Sequence, residues 1–428
     1  MTNLRTDGYT LVAAGPDRLR DIVDLDQWAF VSPQTVDEQV RDDTPASAWP
    51  WGRTYLMLAP DGAPAAFHDS LPFARFAVPG AFVAAAGLSC VSVHPQHRRR
   101  GLLTAMIEAH FAHCAQRGEA ISVLDASEPA IYGRFGYGQA SDQISVTVPR
   151  GAALRDVAGS ADVEVIVDHA DADRYLDAVL GVQRDAAWCS GLVRPGWVGW
   201  ESREVGASFF RDPPARRQAD NRETRRIMLA CRDGRPVGYA FFHRKLRWPD
   251  NNPRGEVEVT AIASTDAAAA HALWSRLSDL DLMATTSTML LAVDDPLLGM
   301  LVDQRAALPK RSDGLWVRLV DVPKALASRQ YACDIDVVVE VADARVPSNA
   351  GAWRLRADAF SDGAVVTRST DEPDIVADVR ELGAAYLGGT SLAALAAAGQ
   401  LTARTPDALA RASVAFGWPL APTFNWIF

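Results

Sequence analysis

Cysteine is scarce in this chain and has no pattern. The 428 residues hold five, at positions 90, 114, 189, 231 and 333, with no C-x-x-C pair. That excludes a zinc ribbon and a disulfide framework, and it sets the expectation of a reduced, cytoplasmic protein with no metal. The opening MTNLRTDGYTLVAAGPDRLRD lacks the apolar core of a secretion signal. One uncharged stretch, Leu382–Gly399, approaches the length of a membrane span, but it is rich in Ala and Gly and is broken by GGTS. It reads as a helix, a Gly-Gly turn and a second helix capped by Ser391 and closed near Gly399, not as a membrane span. Positive charge is not in excess either. The formal net charge is −10, which argues against a nucleic-acid partner. No G-x-S-x-G, H-E-x-x-H or Walker loop occurs, so serine hydrolase, zincin and P-loop chemistry have no support.

What is present is an ordinary globular balance, 48% hydrophobic and 22% charged, in a chain too long for one core. Three segments suggest themselves: 1–155, 156–308 and 309–428. In the first, DRLRDIVDLDQWAF has helical spacing, and two strands flank an Asp61-Gly62 turn. AFVAAAGLSCVSVHP is a strand stopped at Pro95. From Gly101 the apolar positions Leu102, Leu103, Met106, Ile107, Phe111 and Cys114 mark one helix face. A short strand, ISVLDAS, leads to EPAIYGRFGYG, a short helix ending in glycines. The second segment repeats this order with a hairpin around Asp233-Gly234, the strand EVEVTAIAST and the helix DAAAAHALWSRLSDLD. The third alternates like an α+β domain and ends on PTFNWIF, a terminus apolar enough to expect burial.

The most unusual stretch is HPQHRRRGLLTAM, residues 94–106. Three arginines and a glycine precede a helix. The first N–H groups of a helix have no internal partner, and the helix dipole adds positive charge there. Gly101 permits close approach to the backbone. On this window alone two readings stay open: a cradle for a pyrophosphate, or a solvated basic helix start. GRFGYG at 133–138 is not a dinucleotide fingerprint, because its spacing is G-x-x-G-x-G and no helix follows it.

Together, VSVHPQHRRRGLLTAM and ISVLDASEPAIYGRFGYG resemble the GCN5-related N-acetyltransferases (GNAT), and among them the Eis (enhanced intracellular survival) type. Arg98 to Leu102 match the superfamily's [Q/R]-x-x-G-x-[G/A] signature, with Leu103 where Gly or Ala is usual. Its Y-x-x-x-G-F turn maps onto Tyr132, Gly136 and Tyr137. A weaker likeness to sterol carrier proteins rests on DGLWVRLVDVPKALASR, AAYLGG and the aromatic end. The resemblance implies an α/β (α+β) chain of tandem GNAT-like domains, the second degenerate, followed by a sterol-carrier-like α+β domain.

It also implies acetyl-CoA as donor and a primary amine as acceptor, with multi-site acetylation of aminoglycosides as one candidate activity, and a homohexamer. The donor would lie between two splayed strands, against Val91, Ser92 and Val93, the helix start from Arg99 through Arg100, Gly101, Leu102 and Leu103 to Thr104, and Ser127 with Glu128. Tyr132 occupies the general-acid position. The C-terminal carboxylate, here that of Phe428, serves as proton acceptor in the Eis type. An α-carboxyl titrates near ~3.5 and an alkylammonium near ~10, so such a carboxylate would hold the amine as its acidity rises in the attack. Trp28, Phe30, Trp49 and Trp51 are aromatic candidates for an acceptor pocket, and equally suited to a core. Rival readings are a protein-lysine acetyltransferase, and a lipid carrier with a vestigial acetyltransferase.

Overall fold

The computed structural model describes residues 6, 8–43, 49–200 and 202–428. The chain divides into two compact units. One comprises Met1–Ser141, Leu315–Pro419 and Ile427–Phe428, the other Asp142–Gly314 and Leu420–Trp426.

The first unit is built on a seven-stranded sheet. β1 (Thr10–Ala13), β2 (Tyr55–Leu58), β3 (Pro64–Val78) and β4 (Ala81–Val93) run antiparallel in sequence order, turned at Gly62 and Gly80, both with positive φ. β5 (Ile121–Asp125) then joins β4 in parallel. The strand Leu315–Leu319 lies between β5 and β6 (Gly138–Gln139), antiparallel to both. Helix α1 (Leu19–Ala29) buries Leu19, Ile22, Val23 and Leu25. Helix α2 (Val36–Asp42) opens with a capping box between Thr35 and Glu38. Helix α3 (Leu102–Arg117) buries Leu102, Met106, Ile107, Phe111 and Cys114 of the predicted face, leaves Leu103 half-buried, and ends at Gly118 in the left-handed conformation.

The same unit carries a five-stranded sheet of 335–342, 351–357, 365–368, 375–378 and 401–403. The uncharged stretch covers the end of the helix Val379–Ala385 and the whole of the helix Leu392–Ala397. The hydroxyl of Ser391 caps the second, and Gly399 lies just beyond its end at φ +70°. No helix among the described residues is long and apolar enough to cross a membrane. Inside this unit Arg318 and Asp343 form a buried ion pair. Arg318 Nη2 donates to both carboxylate oxygens, at 2.8 and 2.7 Å. Asn349 joins it, donating through Nδ2 to Asp343 Oδ2 and to the carbonyls of Leu319 and Val320.

The second unit has its own seven-stranded sheet and the helices Ala172–Asp185 and Ala267–Leu277. Asp142–Pro149 pairs there with Met283–Leu291, whereas Leu315–Leu319 pairs in the first unit's sheet. The units divide at 141/142 and 314/315. DQISVTVP and LWVRL alternate like any half-buried strand, and that period does not say which sheet accepts them.

β3 carries two buried titratable neighbours, His68 and Asp69. Burial drives His68 down to about 3 from 6.5. It drives Asp69 up to about 7 from 3.8, with Thr54 hydrogen bonding opposing the shift and Asp26 adding to it. Between pH 4 and 7 the folded state therefore keeps a proton on Asp69 that the unfolded chain has released. Asp69 thus costs stability as pH rises through this window, by up to about 1.4 kcal/mol per pH unit. His68 acts oppositely, costing stability as pH falls from 6.5 toward 3. Asp69→Asn should gain stability over wild type as pH rises from 5 to 8 in urea unfolding. An equal difference at both pH values would show that Asp69 is already ionised in the fold.

Candidate active site

The site begins where two strands part. β4 and β5 pair only at Ala85–Ile121, Ala86–Ser122 and Gly87–Val123. Beyond Gly87 the edge of β4 toward β5 is unpaired. On its other edge β4 carries a bulge: Asp69 pairs with Ser89 but Phe67 pairs with Ser92, and Cys90 in between takes φ +50°. A bulge releases a residue from the ladder and re-aims its neighbours. Backbone donors and acceptors therefore line the opening wedge.

A cavity of about 1100 Å³ fills this wedge. β4 contributes Val91 and Val93 to its wall. Ser92, the residue between them, faces the other way, as strand alternation requires, and its buried hydroxyl donates to the Leu25 carbonyl at 2.6 Å. Arg98 and Arg99 line the cavity, but Arg100 does not. Arg99 and Gly101 both adopt positive φ (61° and 81°), which turns the chain sharply into α3. Leu102, Leu103 and Thr104, the first residues of that helix, lie in the wall with their N–H groups short of intrahelical partners. His97, in the same wall, is fixed by the Tyr9 hydroxyl, 2.8 Å from Nδ1.

The opposite wall follows β5: Asp125, Ser127, Glu128, Ile131 and Tyr132. Residues Pro129–Phe135 form a 3₁₀ helix ended by Gly136 at φ +82°. Burial, and then the nearby Glu128 and Asp125 carboxylates, push the Tyr132 phenol up to about 12. Tyr137 is of another kind. It is fully buried, and its hydroxyl is 2.8 Å from Ser122 Oγ, which lies 2.8 Å from His110 Nε2. Tyr137 thus has a packing place and Tyr132 a cavity place.

Ile427 and Phe428, the end of the chain, complete the wall. The Phe428 ring meets Phe73 edge-on at 4.9 Å. A β-carbon on Gly87 would stand 2.4 Å from the Phe73 ring and 3.1 Å from that of Phe428. The last residue of β4 paired with β5 is thus a glycine, and two rings occupy the side-chain space. The terminus is not uniformly buried, as its composition suggested: Phe424 is inaccessible, but Ile427 is 52% exposed.

Of the residues singled out in the sequence, all but Ser92 and Arg100 share this cavity. Of the aromatic candidates, Phe30 lines it. Trp28 does not and is 53% exposed, while Trp49 and Trp51 stack on each other against the Ile22, Leu25 and Phe67 cluster. Sequence reading missed Asp26, Cys90, Asp125, Arg134 and Arg345. The helix period held a signal for Asp26; Cys90 shares the strand parity of Ser92 and reaches the cavity only through the bulge, and Arg345, in a loop more than 200 residues from Arg134, had no signal. No cluster of three or more His, Cys, Asp or Glu among the described residues could hold a metal ion.

In the second unit the corresponding strand, Gly255–Ser264, leads to a helix closed by its own side chain. Asp266 accepts from the Ala269 N–H at 2.9 Å and pairs with Arg232. A carboxylate there takes the place an anion would need.

Comparison with known proteins matches family models along most of the chain. The family described as "Acetyltransferase (GNAT) domain" matches residues 13–140, and a second of that description matches 199–319. "Sterol carrier protein domain" matches 322–425. An "Uncharacterized N-acetyltransferase" of Streptomyces avermitilis is 40% identical over 81% of this chain and 83% of its own. "N-acetyltransferase Eis" of Mycobacterium bovis is 34% identical over 80% of each. The crystal structure of Eis1 from Mycobacterium abscessus superposes with a TM-score of 0.79 at 26% identity, covering 98% of this chain and 100% of that one.

Gly87→Ala should destabilise the chain by about 1–3 kcal/mol in urea unfolding, because the new methyl enters the Phe73 ring. Unchanged stability would mean that Phe73 and Phe428 do not pack over Gly87.

Proposed function

The chain belongs to the Eis-type N-acetyltransferases of the GNAT superfamily, and from that premise we propose that its first unit moves acetyl from acetyl-CoA to primary amines at Tyr132 and Phe428. The observation that carries this reading is one cavity walled by the free edge of β4, the arginine–glycine helix start, Tyr132 and the chain terminus. The residues fit such a donor. An unpaired strand edge suits the amides of a pantetheine arm, and exposed N–H groups at a helix start suit a pyrophosphate. Bound there, the donor supplies a thioester carbonyl open to attack.

The chain's own residues then do the following. Arg98 and Arg99 add charge to the helix start. A backbone N–H at the β4 bulge meets the negative charge that develops on the carbonyl oxygen. Tyr132, whose phenol keeps its proton throughout the neutral range, donates to the departing sulfur. The Phe428 carboxylate accepts the amine's proton as attack makes it acidic. Asp26 and Phe30 line the same cavity and suit cationic amines with apolar faces. Aminoglycosides acetylated at several positions are the acceptors we favour, in a cytoplasmic homohexamer.

A panel of aminoglycosides, polyamines, arylalkylamines and lysine peptides, assayed with acetyl-CoA, tests the acceptor class. Activity on lysine peptides alone would favour a protein acetyltransferase, and no activity at all a carrier. Tyr132→Phe should lower kcat far more than acetyl-CoA affinity. In wild type no falling limb should appear between pH 7 and 10, because Tyr132 loses its proton only near 12. Tyr137→Phe should be mild for turnover. The reverse pattern would assign the acid role to Tyr137.

Amidating the Phe428 carboxyl, or extending the chain by a few residues, should lower turnover on the order of 10² or more. Stability should change less, because the Phe428 ring can stay. A C-terminally extended protein with wild-type turnover would remove Phe428 from the chemistry.

A further inference from the structure

Two arginines in the cavity wall remain without a part in this mechanism. Arg134 follows Tyr132 by two residues and lines the cavity, with no carboxylate partner among the described residues. Arg345 lines it too, although it belongs to the sterol-carrier-like part of the chain. Both guanidinium carbons stand over one ring, that of the fully buried Phe135, at 4.9 and 5.4 Å from its centroid. Both also line a smaller cavity of about 230 Å³, whose wall holds two carboxylates as well, Asp343, which is paired with Arg318, and Asp378. The third arginine of that cavity, Arg380, is committed to the buried Glu381, 2.6 Å away. Arg345 is only partly committed: its Nη1 donates to Glu108 at 3.0 Å. A guanidinium has five N–H donors, so Arg345 keeps others for a ligand.

The backbone that presents Arg345 is held firmly. Asp343 Oδ1 accepts from the N–H groups of Arg345 and Val346, both at 3.0 Å. The same carboxylate is anchored by buried Arg318 in the acetyltransferase sheet. Val346 packs into the cluster that contains Phe135, Ile131 and Tyr132. A cation carried by the C-terminal part of the chain is therefore fixed in the wall of the donor cavity. Glu108, its neighbour, is six residues into α3, about 9 Å along the axis from the helix start.

We propose that Arg134 and Arg345 form a second anion site in the donor cavity, which binds the 3′-phosphate of the adenosine end of acetyl-CoA. This rests on the donor assignment above. The helix start at Arg98–Gly101 takes the pyrophosphate, and a second, separate pair of guanidiniums in the same cavity calls for a second anionic group on the same ligand. Acetyl-CoA has one, a phosphomonoester on its ribose. Its charge of nearly two makes it a stronger partner for Arg345 than the single carboxylate of Glu108. On this reading the C-terminal part of the chain reads the donor, and the enzyme distinguishes acetyl-CoA from 3′-dephospho-acetyl-CoA.

The test compares those two donors in full-length protein, by calorimetry and by KM with one amine. Wild type should bind acetyl-CoA about tenfold more tightly than the dephospho form. Arg345→Gln and Arg134→Gln should each raise KM for acetyl-CoA severalfold, with the effect confined to KM, and leave KM for the dephospho donor unchanged. Arg345→Lys should restore part of the discrimination. Wild type that treats the donors alike, or variants that keep its preference, would overturn the second anion site while leaving the donor assignment intact. Failure of wild type to bind either donor would overturn both.

Discussion

The parting of β4 from β5 is the constraint on which the rest of the first unit depends. A sheet whose strands pair to their ends has no place for an extended ligand. Here pairing with β5 stops at Gly87–Val123, and the later residues of β4 whose backbone groups face that edge need a partner other than β5. The cavity, the arginine–glycine helix start and the 3₁₀ helix after β5 all follow from that gap. One wall is the strand that leads to α3, and the other is the segment that leads from β5 to Tyr132. The gap stays open because its root is filled. Phe73 and Phe428 occupy the space above Gly87, so the Phe428 ring acts as a wedge at that point.

The buried pair of Arg318 and Asp343 explains how a carrier-like part of the chain can serve this site. A buried ion pair adds little net stability over apolar residues of similar size, but losing one partner is costly, typically ~3–5 kcal/mol. Its use is positional. Arg318 sits in the strand that completes the acetyltransferase sheet beside β5, and Asp343 begins the loop that carries Arg345. Asn349 ties the far end of that loop to the carbonyls after the same strand. Few local interactions thus fix a loop whose residues are more than 200 positions from Tyr132.

That distance marks what could be read in the sequence. Local physics was legible: the face of α3, the Asp61-Gly62 turn, the cap at Ser391 and the glycines that end the 3₁₀ helix each depend on neighbours within a few residues. The arginine–glycine turn was legible because charge and conformational freedom coincide within four residues. The resemblance supplied Tyr132 and Phe428, which no spacing rule links. Strand exchange was not legible, since DQISVTVP has the same period in either sheet. Ser92 shows a finer limit. A run of three strand residues cannot all face one cavity, so the alternation of β4 itself argued that Ser92 lay behind Val91 and Val93.

The two copies of the strand–helix plan show why the fold alone does not specify the chemistry. Both units place a strand before a helix, and in both the helix start offers unpaired N–H groups. In the first, Gly101 has no side chain to meet them and Arg98 and Arg99 surround them with positive charge. In the second, Asp266 meets them itself, and Arg232 is spent on Asp266. An anion entering the second site would have to displace a carboxylate already bonded to the same donors and would face its charge at close range. On the proposed function, the change from an arginine–glycine turn to a self-capping aspartate turns a binding end into a structural one. On that same proposed function, the difference lies in who satisfies the first turn of a helix: a ligand in one unit, the chain's own side chain in the other.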